Sequence, residues 1–433
     1  MGYLQQVLFV GLFAVSVFLF VRKIRQIRRN IRLGRPEKIR DHRRLRWKMV
    51  WLLALGQKKM FRKWIPAVLH LLVYAGFIII NIEILEIVLD GLTGSHRLFA
   101  PALGTLYPVL IGCFEVLAVG VIIGCVVFLI RRNILKVKRF WNREMTSWPR
   151  SDANYILLME IALMGLFLTM NTADRALQLQ GVAGYREAGV FWISGLWAPQ
   201  WMHTTPGTLI ALERGCWWLH ITGILFFLNY LPYSKHLHII LAFPNAYYGR
   251  LQPKGVMENM PAIQREVALM FSPADAGPET GLPEHFGAKD VTDLSWKNLM
   301  DAYTCTECGR CTQACPASRT GKLLSPRKIM MDTRDRLEEV GKNVAGSQVK
   351  QDKTLLHDYI TVEELRACTT CNACVEECPV SINPLDIILQ LRRYLIMDEA
   401  NAPAEWNAMF ANMENNGAPW KFAREDREQW MRS

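Results

Sequence analysis

One pattern constrains this chain more than any other: C-x2-C-x2-C-x3-C-P, present twice. It reads CTECGRCTQACP from Cys305 to Pro316 and CTTCNACVEECP from Cys368 to Pro379. Three thiolates on a tight turn can occupy three corners of an iron–sulfur cubane, while the fourth, starting the next helix, points away. In two-cluster ferredoxins that fourth cysteine serves the other cluster. The pattern predicts one [4Fe–4S] cluster on Cys305, Cys308, Cys311 and Cys378, and another on Cys368, Cys371, Cys374 and Cys315. Four sulfurs also suit zinc, but zinc motifs usually separate two cysteine pairs by a longer loop. Each proline is expected to end its loop and open a helix, where a missing N–H costs nothing. The 52 residues between the sets include LLSPRKIMMDTRDRLEEV and TVEELRAC, which read as helices. This half is therefore predicted as an all-helical dicluster domain, not a compact hairpin ferredoxin.

The cysteine half is polar, yet the 433-residue chain is 51% hydrophobic. The apolar residues must be concentrated elsewhere. Five segments approach the roughly 20 residues that span a bilayer: Gln5 to Phe20, Ile65 to Leu89, Leu106 to Ile130, Tyr155 to Met170 and Leu209 to Leu231. The first has no basic residues before it and no small-residue cleavage site after it, so it reads as an anchor, not a signal peptide. The net charge of +12 gathers in two blocks beside apolar runs, VRKIRQIRRNIRLGRPEKIRDHRRLRWKM and RRNILKVKRFWNREMTSWPR. Membrane topology explains such blocks better than nucleic-acid binding does, because short loops rich in Lys and Arg stay inside. The N-terminus is then outside and the C-terminal domain cytoplasmic, in the cell inner membrane. Cysteine use agrees: eight of the 11 lie in the two sets, and Cys113, Cys125 and Cys216 lie in apolar runs. That is metal-site use in a reducing compartment, not a disulfide framework.

Intramembrane histidines are costly and functional by default. His70 lies about two turns inside the second span. His220 and His238 lie 18 positions apart, about 27 Å along a helix, one near each face of the membrane. That is the placement expected for haem, whose iron takes axial imidazoles, with His70 opposing His238 on the inner side. The outer position lacks an obvious partner for His220, since Ile80 stands where a second histidine of that span would be expected. An unconventional ligand, an inward fold of His203, or a single haem b would each resolve this. His236 reads as a solvated residue beside Lys235, and His203 as no ligand. Glu83, Glu86, Glu115 and Glu160 also fall in or beside spans. Glu160 is a candidate for a quinone site, or equally a structural partner for an Arg or a backbone group.

The predicted divisions are a transmembrane cytochrome b-like domain at 1–245, a Pro- and Gly-rich linker at 246–295, the dicluster domain at 296–400 and a tail at 401–433. The tail carries aromatics suited to docking on another protein, or is loosely ordered. GxGxxG and GxxxxGK[ST] are absent, so no nucleotide or flavin fingerprint is present.

The membrane half resembles the gamma subunit of respiratory nitrate reductase and the membrane cytochromes of heterodisulfide reductase and sulfite-reduction complexes. The resemblance rests on VLHLLVYAGF around His70, on His220, and on YSKHLHIILAFPNAYY around His238. The soluble half is similar to the helical dicluster domains of heterodisulfide reductase and glycerol-3-phosphate dehydrogenase. The resemblance implies an all-α fold, with a five-span bundle fused to a cytoplasmic dicluster ferredoxin domain. It also implies the redox subunit of a respiratory complex, passing electrons between two [4Fe–4S] clusters, haem b and menaquinone or ubiquinone. In that family substrate chemistry usually sits in cysteine-rich CCG domains. None is present here, so a CCG-domain subunit or a flavoprotein is the implied cytoplasmic partner. The alternative is a membrane-anchored ferredoxin scaffold without haem.

Overall fold

The structure is a computed structural model, describing residues 2–253, 255–272, 285–345 and 353–432. Part of the predicted linker, 273–284, lies outside the described residues. The architecture is helical throughout, and the only β-type pairings among the described residues are two isolated bridges.

Four helices are long and apolar enough to cross a membrane: Tyr3–Ile31, Trp64–Thr93, Phe99–Ile134 and Trp148–Leu179. The expected fifth is present as a 25-residue helix, Pro206–Tyr230. At about 1.5 Å per residue its length suffices, but Glu213, Arg214, His220 and Asn229 dilute its apolar surface, and it stands outside that set of four. The helices pack in sequence: 64–93 on 107–129, 107–129 on 148–179, and 148–179 on 206–230, with 3–31 against both 206–230 and 64–93. Phe9, Phe114, Phe167, Trp217 and Ile221 fill the centre. Outward faces stay apolar: Ile78, Ile82 and Leu85 are 44–53% exposed. In water such a continuous apolar face would be a liability; in lipid it is the solvated surface.

The first helix departs from the expected anchor followed by a basic loop. It continues without a break to Ile31, because Val21–Ile31 finds a partner in the dicluster half. Lys23 pairs with Glu338 at 3.2 Å, Asn30 donates to the Tyr303 hydroxyl at 2.9 Å, and Arg29 donates to the Gly341 carbonyl at 2.7 Å. A Cβ on Gly341 would lie 2.3 Å from the Asn30 side chain, so any larger residue there would have to displace the Asn30 amide. Ile27, Leu231 and Leu237 join the hydrophobic core of the cluster half. The basic residues predicted to mark the inner face thus help hold the soluble domain.

In that half, Ser295 and Asn298 form a capping box on Trp296–Thr304, and Thr361 and Glu364 form another on Val362–Arg366. Each box satisfies two otherwise orphaned backbone donors. The long connector forms Pro326–Ala345, and Asn383 caps Pro384–Met397. Pro316 opens a helix as expected, but Pro379 stands in a turn and the next helix begins only at Pro384. The tail forms a helix, Ala404–Asn416.

Candidate functional site

The two cysteine loops share one local geometry. In the first, Glu307 and Gly309 take left-handed backbone angles, φ 52° and 72°; in the second, Thr370 and Asn372 do so, φ 56° and 60°. These are the second and fourth residues after Cys305 and after Cys368. Left-handed residues cost about 1–2 kcal/mol when not glycine, so their recurrence marks a required shape. Successive N–H groups turned inward make a concavity for an anion. Accordingly, the Thr370 N–H donates to Cys368 Sγ at 3.4 Å and the Ile382 N–H to Cys378 Sγ at 3.3 Å.

Helices Arg310–Ala314 and Ala373–Glu377 pack together and set the loops side by side. Cys315, Cys368, Cys371 and Cys374 line one cavity with about 310 Å³ of empty space, closed by Leu324 and Ile388. Burial pushes the Cys374 thiol up to about 12, with Cys368, Cys315 and Cys371 adding to the shift. On the other side burial pushes Cys305 up to about 12, helped by Glu307, Cys308 and Cys378, and Cys378 up to about 11, helped by Cys308. Burial and Cys308, Cys305 and Cys378 likewise raise Cys311. Cys315 of the first loop thus shares one cavity with Cys368, Cys371 and Cys374 of the second, and Cys378 of the second loop is close enough to Cys305, Cys308 and Cys311 of the first to perturb them or be perturbed by them. Thiols this reluctant to ionise become thiolates only when a cation replaces the proton. Among the described residues no three His, Cys, Asp or Glu side chains gather tightly enough to hold a single metal ion; Cys315, Cys368, Cys371 and Cys374 line a cavity instead. Cys371 is exposed, whereas Cys305 and Cys378 are buried.

The histidines form a second group. The rings of His70 and His238 lie 6.5 Å apart, centre to centre, tilted by 43°. His238 Nδ1 lies 2.8 Å from the Lys235 carbonyl, and His70 Nδ1 lies 3.0 Å from Gln57 Oε1. A carbonyl oxygen can only accept, so each Nδ1 carries the proton and each Nε2 keeps a free lone pair, as a metal-bound imidazole requires. Burial holds His238 below the usual histidine range, against the opposing Lys235 carbonyl. His236 differs from its expected solvated state. It is only partly exposed, its ring meets those of Phe227 and His238, and its buried Nδ1 has no hydrogen-bond partner.

Short bridges join the two groups. From His238, Lys235 reaches Glu307 of the first cysteine loop at 2.9 Å. From His70, Gln57 lies two residues before Lys59, which donates to the Cys378 carbonyl at 3.3 Å. Arg310 donates to the Lys59 carbonyl at 3.4 Å. The set containing Cys378 therefore faces the His70–His238 pair.

His220 is apart from these. It is 1% exposed, its Nδ1 donates to the Leu163 carbonyl at 2.9 Å, and its ring lies 6.2 Å from Phe167. Ile80 is buried and His203 is exposed, so neither supplies the missing outer partner. Glu160 is 9% exposed, and no hydrogen bond or ion pair engages it among the described residues.

The sequence named Glu83, Glu86 and Glu115 one at a time; the structure gathers the first two in a cleft away from the cysteines. The cleft holds about 350 Å³ of empty space, bounded by Glu83, Glu86, Asp90, His96, Arg97 and Glu213. Arg97 organises it, donating to Asp174 at 2.8 Å, Asn171 at 2.7 Å and the Tyr107 hydroxyl at 3.2 Å. Tyr107 donates to Glu86 at 2.9 Å. Glu83, 2% exposed, keeps Oε2 without a partner. Arg97 and His96 gave no signal in sequence, being polar residues in a loop.

Residues 297–383 match the 4Fe-4S dicluster domain family. The chain is 28% identical to the probable iron-sulfur-binding oxidoreductase FadF of Bacillus subtilis, over 98% of this chain and 60% of that protein. It is 26% identical to the EtfAB:quinone oxidoreductase of Syntrophomonas wolfei, over 88% of this chain and 53% of that protein. A third relative, one of the subunits of the ferredoxin/F420H2-dependent CoB-CoM heterodisulfide reductase of Methanosarcina acetivorans, is 35% identical over 24% of this chain and 52% of its own length. The matches to the first two relatives thus span little more than half of their length. No solved structure matches. Taken with the fold, these similarities identify an electron-transfer protein in which a 4Fe-4S dicluster domain is fused to a bundle of apolar helices.

Proposed function

We propose that this chain is the membrane subunit of a respiratory oxidoreductase, carrying electrons between a soluble partner and quinone. The observation that carries the reading is the pair of bridges tying His70 and His238 to the cysteine set that contains Cys378, through Gln57 and Lys59 to Cys378 and through Lys235 to Glu307. A scaffold that merely anchored a ferredoxin would not need partly buried imidazoles, with free Nε2 atoms, against the cluster domain.

The residues fit the implied groups. Cys305, Cys308, Cys311 and Cys378 would hold one [4Fe–4S] cluster, and Cys368, Cys371, Cys374 and Cys315 the other. His70 and His238, whose ring centres lie 6.5 Å apart, would hold a haem between them. His236 Nδ1, buried beside them without a hydrogen-bond partner, would be free to hydrogen-bond the bound group. These groups supply one-electron chemistry when bound. The protein's own part is to fix ligand tautomers, to bury the first cysteine set against the membrane part and to leave Cys371 at the surface. On this reading the exposed Cys371 set would meet the partner and the Cys378 set would be the inner neighbour of the haem, which the exposure of Cys371 and the burial of Cys378 support. A single haem b fits, because His220 has no histidine opposite it.

Quinone chemistry moves protons with electrons. Glu160, and Glu83 in the polar cleft, are the buried carboxylates suited to that exchange, with menaquinone or ubiquinone as the substrate. The basic residues at the docked end of the bundle favour a cytoplasmic cluster domain and an outer N-terminus. Substrate chemistry is assigned to a CCG-domain heterodisulfide reductase-like subunit or a flavoprotein, for which Trp406, Phe410 and Met413 form an exposed stripe, each more than 40% exposed, on the tail helix. A pyridine haemochrome assay of the purified protein tests this. Haem b at about one per chain supports it; absence of haem leaves the anchored-ferredoxin scaffold instead.

A further inference from the structure

The short segment between the basic region and the second span contains a residue that nothing in the sequence marks. Gln57 sits at φ 48°, a left-handed angle that a non-glycine residue seldom adopts and that persists only when its surroundings impose it. It is 6% exposed, although it lies in the stretch GQKKMFRK. The residue before it is boxed in as well: a Cβ on Gly56 would meet the Trp51 carbonyl at 2.9 Å. The Gly56 N–H donates to that same carbonyl at 2.8 Å, and the Lys58 N–H to the Leu52 carbonyl at 3.0 Å. Beyond it, the segment is pinned to the cluster half by Lys59 on the Cys378 carbonyl, Arg62 on Glu376 and Lys63 on Gln313. The backbone on both sides is therefore fixed, and its strained turn delivers one amide oxygen, Gln57 Oε1, to within 3.0 Å of His70 Nδ1.

We infer that Gln57 is a positioning residue for the haem. Its amide oxygen holds the Nδ1–H of His70, fixes the ring's tautomer and rotation, and sets how strongly Nε2 donates to iron. A hydrogen bond accepted from the non-ligating nitrogen raises the basicity of the ligating one, which favours the oxidised metal and lowers its potential. His238 has the same arrangement with a backbone carbonyl, that of Lys235, which no side-chain substitution removes. On the His70 side the acceptor is a side chain, so the sequence can tune it. The same strained turn, through Lys59, abuts the Cys378 set. The residue that adjusts the haem is thus held in place by the domain that exchanges electrons with it.

This inference rests on the haem assignment to His70 and His238, and its test separates the two. Wild type, Gln57→Leu and Gln57→Glu are purified in detergent, haem is counted by pyridine haemochrome, and the haem potential is titrated optically. The leucine removes the acceptor and should raise the potential; the glutamate offers a charged acceptor and should lower it. Each shift is expected to be on the order of tenfold in the oxidised-to-reduced ratio at fixed potential, the scale of outer-shell effects, or about 59 mV for one electron. Cluster signals should stay unchanged. A residue that only shaped the backbone would give no such ordering by charge. Haem in all three proteins with one common potential overturns the role of Gln57 and leaves the haem assignment standing. Absence of haem from wild type overturns both. If the leucine variant fails to hold haem, the comparison of wild type with the nearly isosteric glutamate variant decides alone.

Discussion

Replacing Arg327 by methionine should loosen the cluster domain from the membrane bundle. Arg327 is the largest fully buried side chain among the described residues, at 0% exposure. Its guanidinium donates to Glu144 Oε1 from Nη2 at 2.7 Å and from Nε at 3.2 Å. It also donates to the Arg139 carbonyl at 2.7 Å and the Glu307 carbonyl at 3.4 Å. Glu144 and Arg139 belong to the connection before the fourth span, and Glu307 to the first cysteine loop, so one side chain ties three segments together. The methionine fills much of the volume but leaves Glu144, 10% exposed, with Ser325 as its remaining side-chain partner. Breaking one partner of a buried pair costs about 3–5 kcal/mol, because the other charge stays buried and uncompensated. Removing that charge too, in Arg327→Met/Glu144→Gln, should recover about 1–3 kcal/mol, the coupling expected of contacting residues. The assay is urea-induced loss of cluster absorbance in detergent micelles for wild type, both single variants and the double variant. The reasoning fails if Arg327→Met lies within about 0.5 kcal/mol of wild type, the range of an ordinary surface change. It fails equally if the double variant is no more stable than Arg327→Met.

Three further outcomes follow from the same geometry. The exchange of fourth cysteines predicts that Cys315→Ser and Cys371→Ser leave the same residual cluster spectrum by electron paramagnetic resonance, distinct from the one shared by Cys308→Ser and Cys378→Ser. If Cys315→Ser instead matches Cys308→Ser, each loop holds its own cluster. His220→Ala should keep the wild-type haem content while His70→Ala and His238→Ala lose it; loss of half the haem in His220→Ala would reveal a second haem. Burial alone would raise Glu144, but Arg327 and Ser325 outweigh it and hold the carboxyl below its usual range. A depressed carboxylate contributes stability that is present above its unfolded value of about 4.3 and lost as pH falls through the folded value. The stability gap between wild type and Glu144→Gln should therefore persist at neutral pH and close in acid below about pH 4. A gap that closes between pH 6 and 8 would assign it to another group.

What the sequence discloses and what it hides divide along physical lines. Apolar runs long enough for lipid and the doubled cysteine pattern are local signals, so the helical class and the dicluster domain are legible from the residues alone. The pairing of His70 with His238 is readable for the same reason, since helical rise converts spacing into depth. Contacts made by long polar side chains across the fold are not. Nothing in RRNIRLGRPEK indicates that Asn30 meets Tyr303, so the apolar run alone ends the first helix too early. Arg327 and Glu144 are 183 positions apart, and neither stands out among the chain's 51 basic and 39 acidic residues. Gln57 carries no charge and no motif, and only its backbone angle and burial single it out. Pro379 shows the limit of motif transfer: it shares the pattern of Pro316, yet Ser381 at φ 60° interrupts the backbone before a helix can start.

On the proposed function, electrons pass between the clusters and quinone through the membrane bundle. The direct test is quinone-driven reoxidation of the dithionite-reduced protein, comparing wild type with His70→Ala after iron analysis shows about eight non-haem irons in each, the content of two [4Fe–4S] clusters. A menaquinone or ubiquinone analogue should rapidly reoxidise the clusters of wild type and leave those of His70→Ala reduced. Equal rates in the two proteins, with both clusters intact, would contradict it.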